Sequence, residues 1–240
     1  VNARYRMTTD LPCATLRGEF IGPQSGGQAG SQAEVQQLAQ GFDSRVFVPV
    51  WTSQLFVSDW LNPGGDPPLK ASLIPQGPNL RLRIENLMAV AIPDLRLVLQ
   101  GQLYELGALQ AGESREISLD LQQGKALLEF VQQNGNTFAH AVQQRGRALG
   151  SSQPYNIEPN ATTAITLSFL SHLSATDGYQ RQFLYPAGLD LGALVERGDA
   201  VLLAWIPKYA PVPSFRRFNA VRSAEYTLLR LALPAAQLSP

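Results

Sequence analysis

Between Leu80 and Leu121 the sequence repeats one pattern, a short run of alternating apolar and polar residues followed by a turn. Leu80, Leu82 and Ile84 alternate with Arg81, Arg83 and Glu85, and Leu95-Arg96-Leu97-Val98-Leu99 repeats the theme. Gln100-Gly101-Gln102 then turns the chain into Leu103-Tyr104-Glu105-Leu106-Gly107, and Ala111-Gly112-Glu113-Ser114 turns it again into Arg115 to Leu121. A period of two puts successive side chains on opposite faces, so each run reads as a half-solvated strand with one apolar face. Short strands separated by turn signals at spacings of roughly 8–12 residues describe a sandwich of immunoglobulin-like type. The sandwich is expected over residues 66–122.

Asn62-Pro63-Gly64-Gly65-Asp66-Pro67-Pro68 is the strongest break in the chain and the expected domain boundary. Residues 1–65 and 123–240 are expected to form a second α+β unit, or to merge with the sandwich into one domain. The fold class is α+β, mainly antiparallel β. Before the break, Arg4 to Phe20 reads as one or two strands interrupted at Pro12, and Gly22 to Gly30 as a loop. Ser31-Gln32-Ala33-Glu34 has the form of a capping box, with Val35, Leu38, Ala39 and Phe42 behind it at helical spacing and Gly41 to end it. This predicts a helix at 32–40. Strands are expected between Arg45 and Trp60, with Pro49 marking an edge or bulge.

After Leu121 the pattern changes. Gly124 to Gly150 carries Leu127, Leu128, Val131, Phe138, Val142 and Leu149 with glutamines on the other side, which predicts two helical pieces divided at Asn134-Gly135. Residues 162–173 fit both a strand and a helix, with helix preferred, and Leu189 to Arg197 reads as a short helix ended by Gly198. Ala200 to Ile206 and Glu225 to Leu233 are apolar runs expected to pair as neighbouring antiparallel strands, both central. The tail from Leu233 to Pro240 reads as a linker.

Charge bounds the partners. Lys+Arg and Asp+Glu number 19 each, a formal net charge of 0. Phosphate binding needs a basic excess, so nucleic acid is not an expected partner. The longest lipid-like run, Leu87 to Ile92, is far shorter than the roughly 20 residues of a membrane span. The chain begins at Val1 without a signal-peptide pattern and is expected to be a processed protein or an excised segment.

The residues that carry chemistry are sparse. Cys13 is the sole cysteine, so an internal disulfide and a cysteine-based zinc site are excluded, and a small buried hydrophobe is its expected role. His140 and His172 lie in separate apolar segments and read as polar residues at the edge of a core face. No metal or other cofactor is expected, although a mixed His/carboxylate site stays open. Asp94 and Asp120 lie at expected strand ends and read as solvated. There is no Gly-x-Ser-x-Gly elbow, no Walker A sequence and no Gly-x-Gly-x-x-Gly, while Asn160-Ala161-Thr162 matches a glycosylation sequon. Among the aromatic residues, Trp51 and Trp205 sit in apolar strands and are expected to be buried. Tyr209, between Pro207 and Pro211, is the expected exposed ring. Arg216 and Arg217, beside Phe215 and Phe218, form a small basic-aromatic spot. Tyr209, Arg216, Arg217 and Tyr179 are the candidate ligand contacts.

Several of these runs are similar to one family. Ile84-Glu85-Asn86-Leu87, Leu97-Val98-Leu99, Gln102 to Gly107 and Ala111-Gly112-Glu113-Ser114 resemble a β-sandwich segment of large, uncharacterised bacterial membrane-anchored proteins. Leu189-Asp190-Leu191, Gly198 to Trp205 and Tyr226-Thr227-Leu228 resemble the ends of the same segments. Ala111 stands where those segments have proline. The resemblance implies an extracytoplasmic domain of the cell envelope, tethered by membrane helices outside this chain, and it implies no activity. The expected function is therefore a structural or binding domain without catalysis, with an envelope protein or polysaccharide as partner. A carbohydrate-binding module is the alternative, and a hydrolase with a non-standard site the third.

Overall fold

A computed structural model describes residues 3–19, 33–48, 55–61, 66–76, 79–135, 160–169, 171, 190–209 and 225–234. The described residues fall into two compact units that divide between Asp66 and Pro67.

The first unit is built from β1 (Ala3–Thr9), β2 (Thr15–Glu19), β3 (Ala33–Gln37), β4 (Phe42–Val48) and β5 (Leu55–Asp59). They form a three-stranded antiparallel sheet in the order β1-β4-β3 and a β2-β5 pair. Phe42, Ser44 and Val46 of the central strand β4 are buried on one face. The helix expected at 32–40 is a strand. Its residues pair with β4 over Ala33↔Val46 to Gln37↔Phe42, and ladder hydrogen bonds along a formed strand outweigh a local capping signal. Gly41 closes the β3–β4 turn at φ +75, where a side chain is disfavoured. Cys13 also departs from expectation. It sits exposed in a turn at φ 54, held by the Ala14 N–H donating to the Leu11 carbonyl at 3.2 Å.

The second unit carries β6 (Leu69–Gln76), β7 (Asn79–Asn86), β8 (Ile92–Leu99), β9 (Gln102–Leu109), β10 (Ser114–Leu119), β11 (Lys125–Ala126), β12 (Ala200–Pro207) and β13 (Tyr226–Leu233). They make two sheets, ordered β10-β7-β6 and β11-β9-β8-β12-β13, with every pair antiparallel. Leu73, Leu82 and Ile84 from the first sheet pack with Leu95, Leu97, Leu99, Leu202 and Ala204 from the second in one core. The unit is therefore a β-sandwich in a mainly antiparallel α+β fold. Its hairpins are tight for a stated reason: Gln100 and Gly101 between β8 and β9 both have positive φ, 50 and 72, as a two-residue primed turn demands.

The outer face of the five-stranded sheet has its own core. Val98 and Leu103, with Val201 and Leu203 of β12, pack against Leu127 and Val131 of helix α1 (residues 127–135) and Ile165 of helix α2 (Ala161–Ser168). Helix α3 (Gly192–Glu196) adds Leu194 and Val195 to this layer. β12 is thus covered on both faces, its even positions buried in the sandwich and Val201 and Leu203 beneath the helices.

Three expectations are corrected here. The described strands after residue 123 do not group with 1–65: β11, β12 and β13 complete the sheet that β8 and β9 begin. β8 is not half-solvated, because the helices cover its other face and Leu95 to Leu99 are all buried. β13 pairs with β12 from Ala200↔Leu233 to Pro207↔Tyr226, as expected, but lies at the end of the sheet order instead of centrally. Residues 162–168 are helical within α2, and Asn160 of the sequon is its N-cap, its side chain accepting from the Thr163 N–H at 2.8 Å. The second of the two helical pieces expected within 124–150, and Pro49, lie outside the described residues.

Candidate functional site

Charge enters the second unit through the outer face of the five-stranded sheet. Along β8, Asp94 and Arg96 are two residues apart and so share a face. Arg96 closes a two-pronged ion pair on Asp94, with Nε to Oδ1 and Nη2 to Oδ2 both at 2.9 Å. The Arg96 side chain is 10% exposed and that of Asp94 30%. The guanidinium lies 5.8 Å from the Phe130 ring centroid of α1, and its Nη2 reaches Thr162 Oγ1 of α2 at 3.5 Å. One buried side chain therefore touches two of the helices that cover the sheet, α1 and α2. Such a cation needs a paired, hydrogen-bonded setting to be tolerated there.

The charges continue across the sheet. Arg96 is in register with Glu105 of β9, and Lys125 Nζ of β11 donates to Glu105 Oε1 at 2.8 Å. The hydrogen bond from Lys125 holds the Glu105 carboxyl below its ordinary range; partial burial opposes this, and the charges of Lys125 and Arg96 add to it. From β11 to β8 the signs alternate as Lys125, Glu105, Arg96, Asp94. On the other side of Asp94 stands Trp205, its register partner on β12, stacked on Tyr226 of β13 with ring centroids 5.3 Å apart and planes at 14°. Trp205 is half-buried, not fully buried as expected, because the stack lies where the sheet reaches its β13 edge. Burial lowers the pKa of Arg230, also on β13.

Chemically, this constellation holds charge in place. A general acid or base needs a pKa drawn toward neutrality, and here the resolved carboxylate shift runs the other way. Asp190 is likewise bound into the scaffold. Its Oδ1 accepts from Ser171 Oγ at 2.7 Å and the Gly192 N–H at 2.9 Å, and its Oδ2 accepts from the Ser171 N–H at 2.8 Å. The carboxylate as a whole ties the Ser171 backbone and hydroxyl to the Gly192 backbone at the start of α3. A Cβ at Gly192 would meet Ser171 Oγ at 2.2 Å, so a larger residue there would displace the Ser171 hydroxyl from Asp190.

The family model described as "Domain of unknown function (DUF8725)" matches residues 69–204. The chain belongs to the DUF8725 family. The DUF8725 match runs from the start of β6 into β12, so it contains the whole Lys125-to-Asp94 ladder and the segment that contributes the covering helices. Neither the curated proteins nor the solved structures contain a match.

Of the candidate ligand contacts, only Tyr209 lies among the described residues, five positions past the DUF8725 match. Tyr209 is half-buried instead of exposed as expected; it packs against the sandwich core, and its carbonyl accepts from Thr227 Oγ1 at 2.7 Å. Tyr179, Arg216 and Arg217 lie outside the described residues, as do His140, His172 and Trp51. Asp120 is exposed, as expected, and its carboxylate accepts from the Gln122 N–H at 2.9 Å. Asp94 is not the solvated strand end it resembles. The signal that marks it is Asp94-x-Arg96 inside an apolar strand, two opposite charges at the spacing that shares a face.

Proposed function

We propose that the chain is a structural or binding domain of a bacterial envelope protein, carried outside the cytoplasm and without catalysis. The observation that carries this reading concerns the buried polar side chains. Among the described residues these are Ser44, Asn86, Arg96, Thr166 and Ser168, and each is bound to its own scaffold. Ser44 Oγ donates to the Met7 carbonyl at 3.1 Å, and Thr166 and Ser168 donate one turn back to the Thr162 and Ala164 carbonyls. Asn86 Nδ2 donates to the Val90 and Gln110 carbonyls at 2.9 and 2.8 Å, while its Oδ1 accepts from the Met88 N–H at 3.1 Å. Polar groups engaged in this way fix a structure.

The strand plan supports the immunoglobulin-like form of this reading. β6, β7 and β10 correspond to strands A, B and E of such a sandwich, and β9, β8, β12 and β13 to C′, C, F and G. The helices come from the connection between β11 and β12, so they are an insertion laid over the C′CFG sheet. The resemblance of residues 83–114 and 189–228 to envelope segments supports the location. Carbohydrate binding is the second reading, favoured by the Trp205–Tyr226 stack, in which Tyr226 is 40% exposed.

Protease treatment of spheroplasts tests the location. In cells expressing the full gene product with an epitope placed after Pro234, added protease should remove the epitope while a cytoplasmic marker survives. An epitope protected together with the marker would overturn the reading.

A further inference from the structure

The five-stranded sheet of the second unit ends at β13, and no other described strand bonds its outer side. The remaining described edges of the two sheets carry features that discourage pairing with another strand. β11 is two residues long and holds Lys125, β6 holds Lys70 and Pro75, and β10 holds Arg115 and Glu116. β13 lacks such features. It runs for eight residues, Tyr226–Leu233, without proline, lysine or a bulge, in unbroken register with β12, and Arg230 is its one charge. β6 of the opposite sheet passes near β13, but its ladder is with β7.

The backbone direction of β13 follows from one hydrogen bond. The Lys208 N–H donates to the Glu225 carbonyl at 2.8 Å, one step beyond the Pro207↔Tyr226 pair. Along an antiparallel strand the residues that bond one neighbour alternate. Glu225, Thr227, Leu229 and Leu231 therefore bond toward β12, and the N–H and C=O groups of Tyr226, Leu228 and Arg230 point to the open side. The side chains of these three residues share the outer face of the sheet. Leu228 packs with the outer core, Arg230 is in register with Leu203, and Tyr226 stacks on Trp205 and is 40% exposed.

We propose that β13 binds the β13 strand of a second copy of this chain, antiparallel, across a two-fold axis at Leu228. In a two-fold contact the position of the axis fixes which residue meets which. An axis at Leu228 sets Leu228 against itself and Tyr226 against Arg230 on both sides, a ring facing a guanidinium. It also gives the outward N–H and C=O groups of all three residues their partners. An axis at Arg230 would oppose like charges, and one at Leu229 would set Arg230 against Leu228. The strand is thus its own complement in one register. A formal net charge of 0 puts no long-range repulsion between two copies. Strand addition of this kind joins two sheets into one and buries the open edge.

Sedimentation equilibrium of the purified chain tests this. One strand pair buries little surface, so the dimer should be weak, with a dissociation constant on the order of 10 µM. Tyr226→Glu sets a carboxylate against Arg230 of the other copy, and Tyr226→Arg sets a second guanidinium there. Both variants lose the same ring, and each carries one unit of net charge, so effects on folding and general repulsion are shared. Tyr226→Glu should dimerise about tenfold more tightly than Tyr226→Arg, because the altered pair occurs twice in each dimer, and salt should narrow the gap. A chain that stays monomeric up to about 1 mM, or equal dimerisation by the two variants, would overturn the inference. The measurement uses purified protein, so its outcome is separate from that of the envelope reading.

Discussion

Asp94 and Arg96, two residues apart on one face of β8, close their ion pair beneath the helical layer of the second unit. The pair is a cost of covering the sheet on both sides, met by geometry: the carboxylate satisfies two guanidinium N–H groups, and Phe130 and Thr162 approach the same guanidinium.

Breaking the pair from one side should hurt more than removing it. Asp94→Ala leaves a cation that is 10% exposed without its carboxylate and should cost about 3 kcal/mol in urea denaturation. The double replacement Asp94→Ala/Arg96→Met should be considerably closer to the parent. A double variant as unstable as Asp94→Ala would show that the pair is not the unit of stabilisation.

Asn86 joins three segments through a fully buried amide. Asn86→Ala should cost about 3 kcal/mol, because two carbonyls and one N–H lose their partner inside the sandwich. The same denaturation experiment checks it.

Two large aromatic residues of the outer core, Phe169 and Trp205, should separate. Phe169 is fully buried, and Phe169→Ala should cost about 3–5 kcal/mol. Trp205 is half-buried and leans on Tyr226, so Trp205→Ala should cost less, about 2 kcal/mol.

Two glycines with positive φ also separate. At Gly41 an added Cβ would sit 1.8 Å from the Thr9 carbonyl oxygen, and at Gly101 it meets open space. Gly41→Ala should disrupt the first unit, visible as new protease sites within residues 3–61, with the second unit intact. Gly101→Ala should cost only on the order of 1–2 kcal/mol, for the left-handed backbone.

Acid should weaken both units. Hydrogen bonds from Arg6, from Lys125 and from the Gln110 N–H hold the carboxyls of Asp43, Glu105 and Glu113 respectively below their ordinary values. A carboxyl with a lower pKa when folded binds fewer protons in that state. Its stabilisation is therefore complete above the ordinary carboxylate value of about 4 and is lost as pH falls through the folded value. Glu113→Gln should shrink the difference between urea midpoints measured near pH 6 and near pH 3.

How far the fold is legible depends on where each element's partner lies. β7, β9 and β10 have a period of two and turn residues between them, and these local signals place them. β12 and β13 are legible as apolar runs, but the edge position of β13 depends on the sheet order. β3 reads as a helix because Ser31-x-x-Glu34 and the spacing of Val35, Leu38 and Phe42 are local, while its pairing with β4 is tertiary. Arg96 reads as solvated because Ile165, in the helix that helps cover that face, is almost seventy residues further along the chain. Tyr209 reads as exposed from its flanking prolines, whereas its ring meets a core assembled from both sheets. The Asp94–Arg96 pair is the part of the candidate site that spacing alone makes findable.

The central claim is that this domain faces the envelope side of the membrane, and Cys13 gives the most direct measurement of it. Cys13 is exposed, and it is the sole cysteine of the 240 residues. Cells with a permeabilised outer membrane and an intact inner membrane are treated with a membrane-impermeant maleimide, using the parent protein and Cys13→Ser. The account predicts labelling of the parent before lysis and its loss in Cys13→Ser; labelling of Cys13 only after lysis would contradict it.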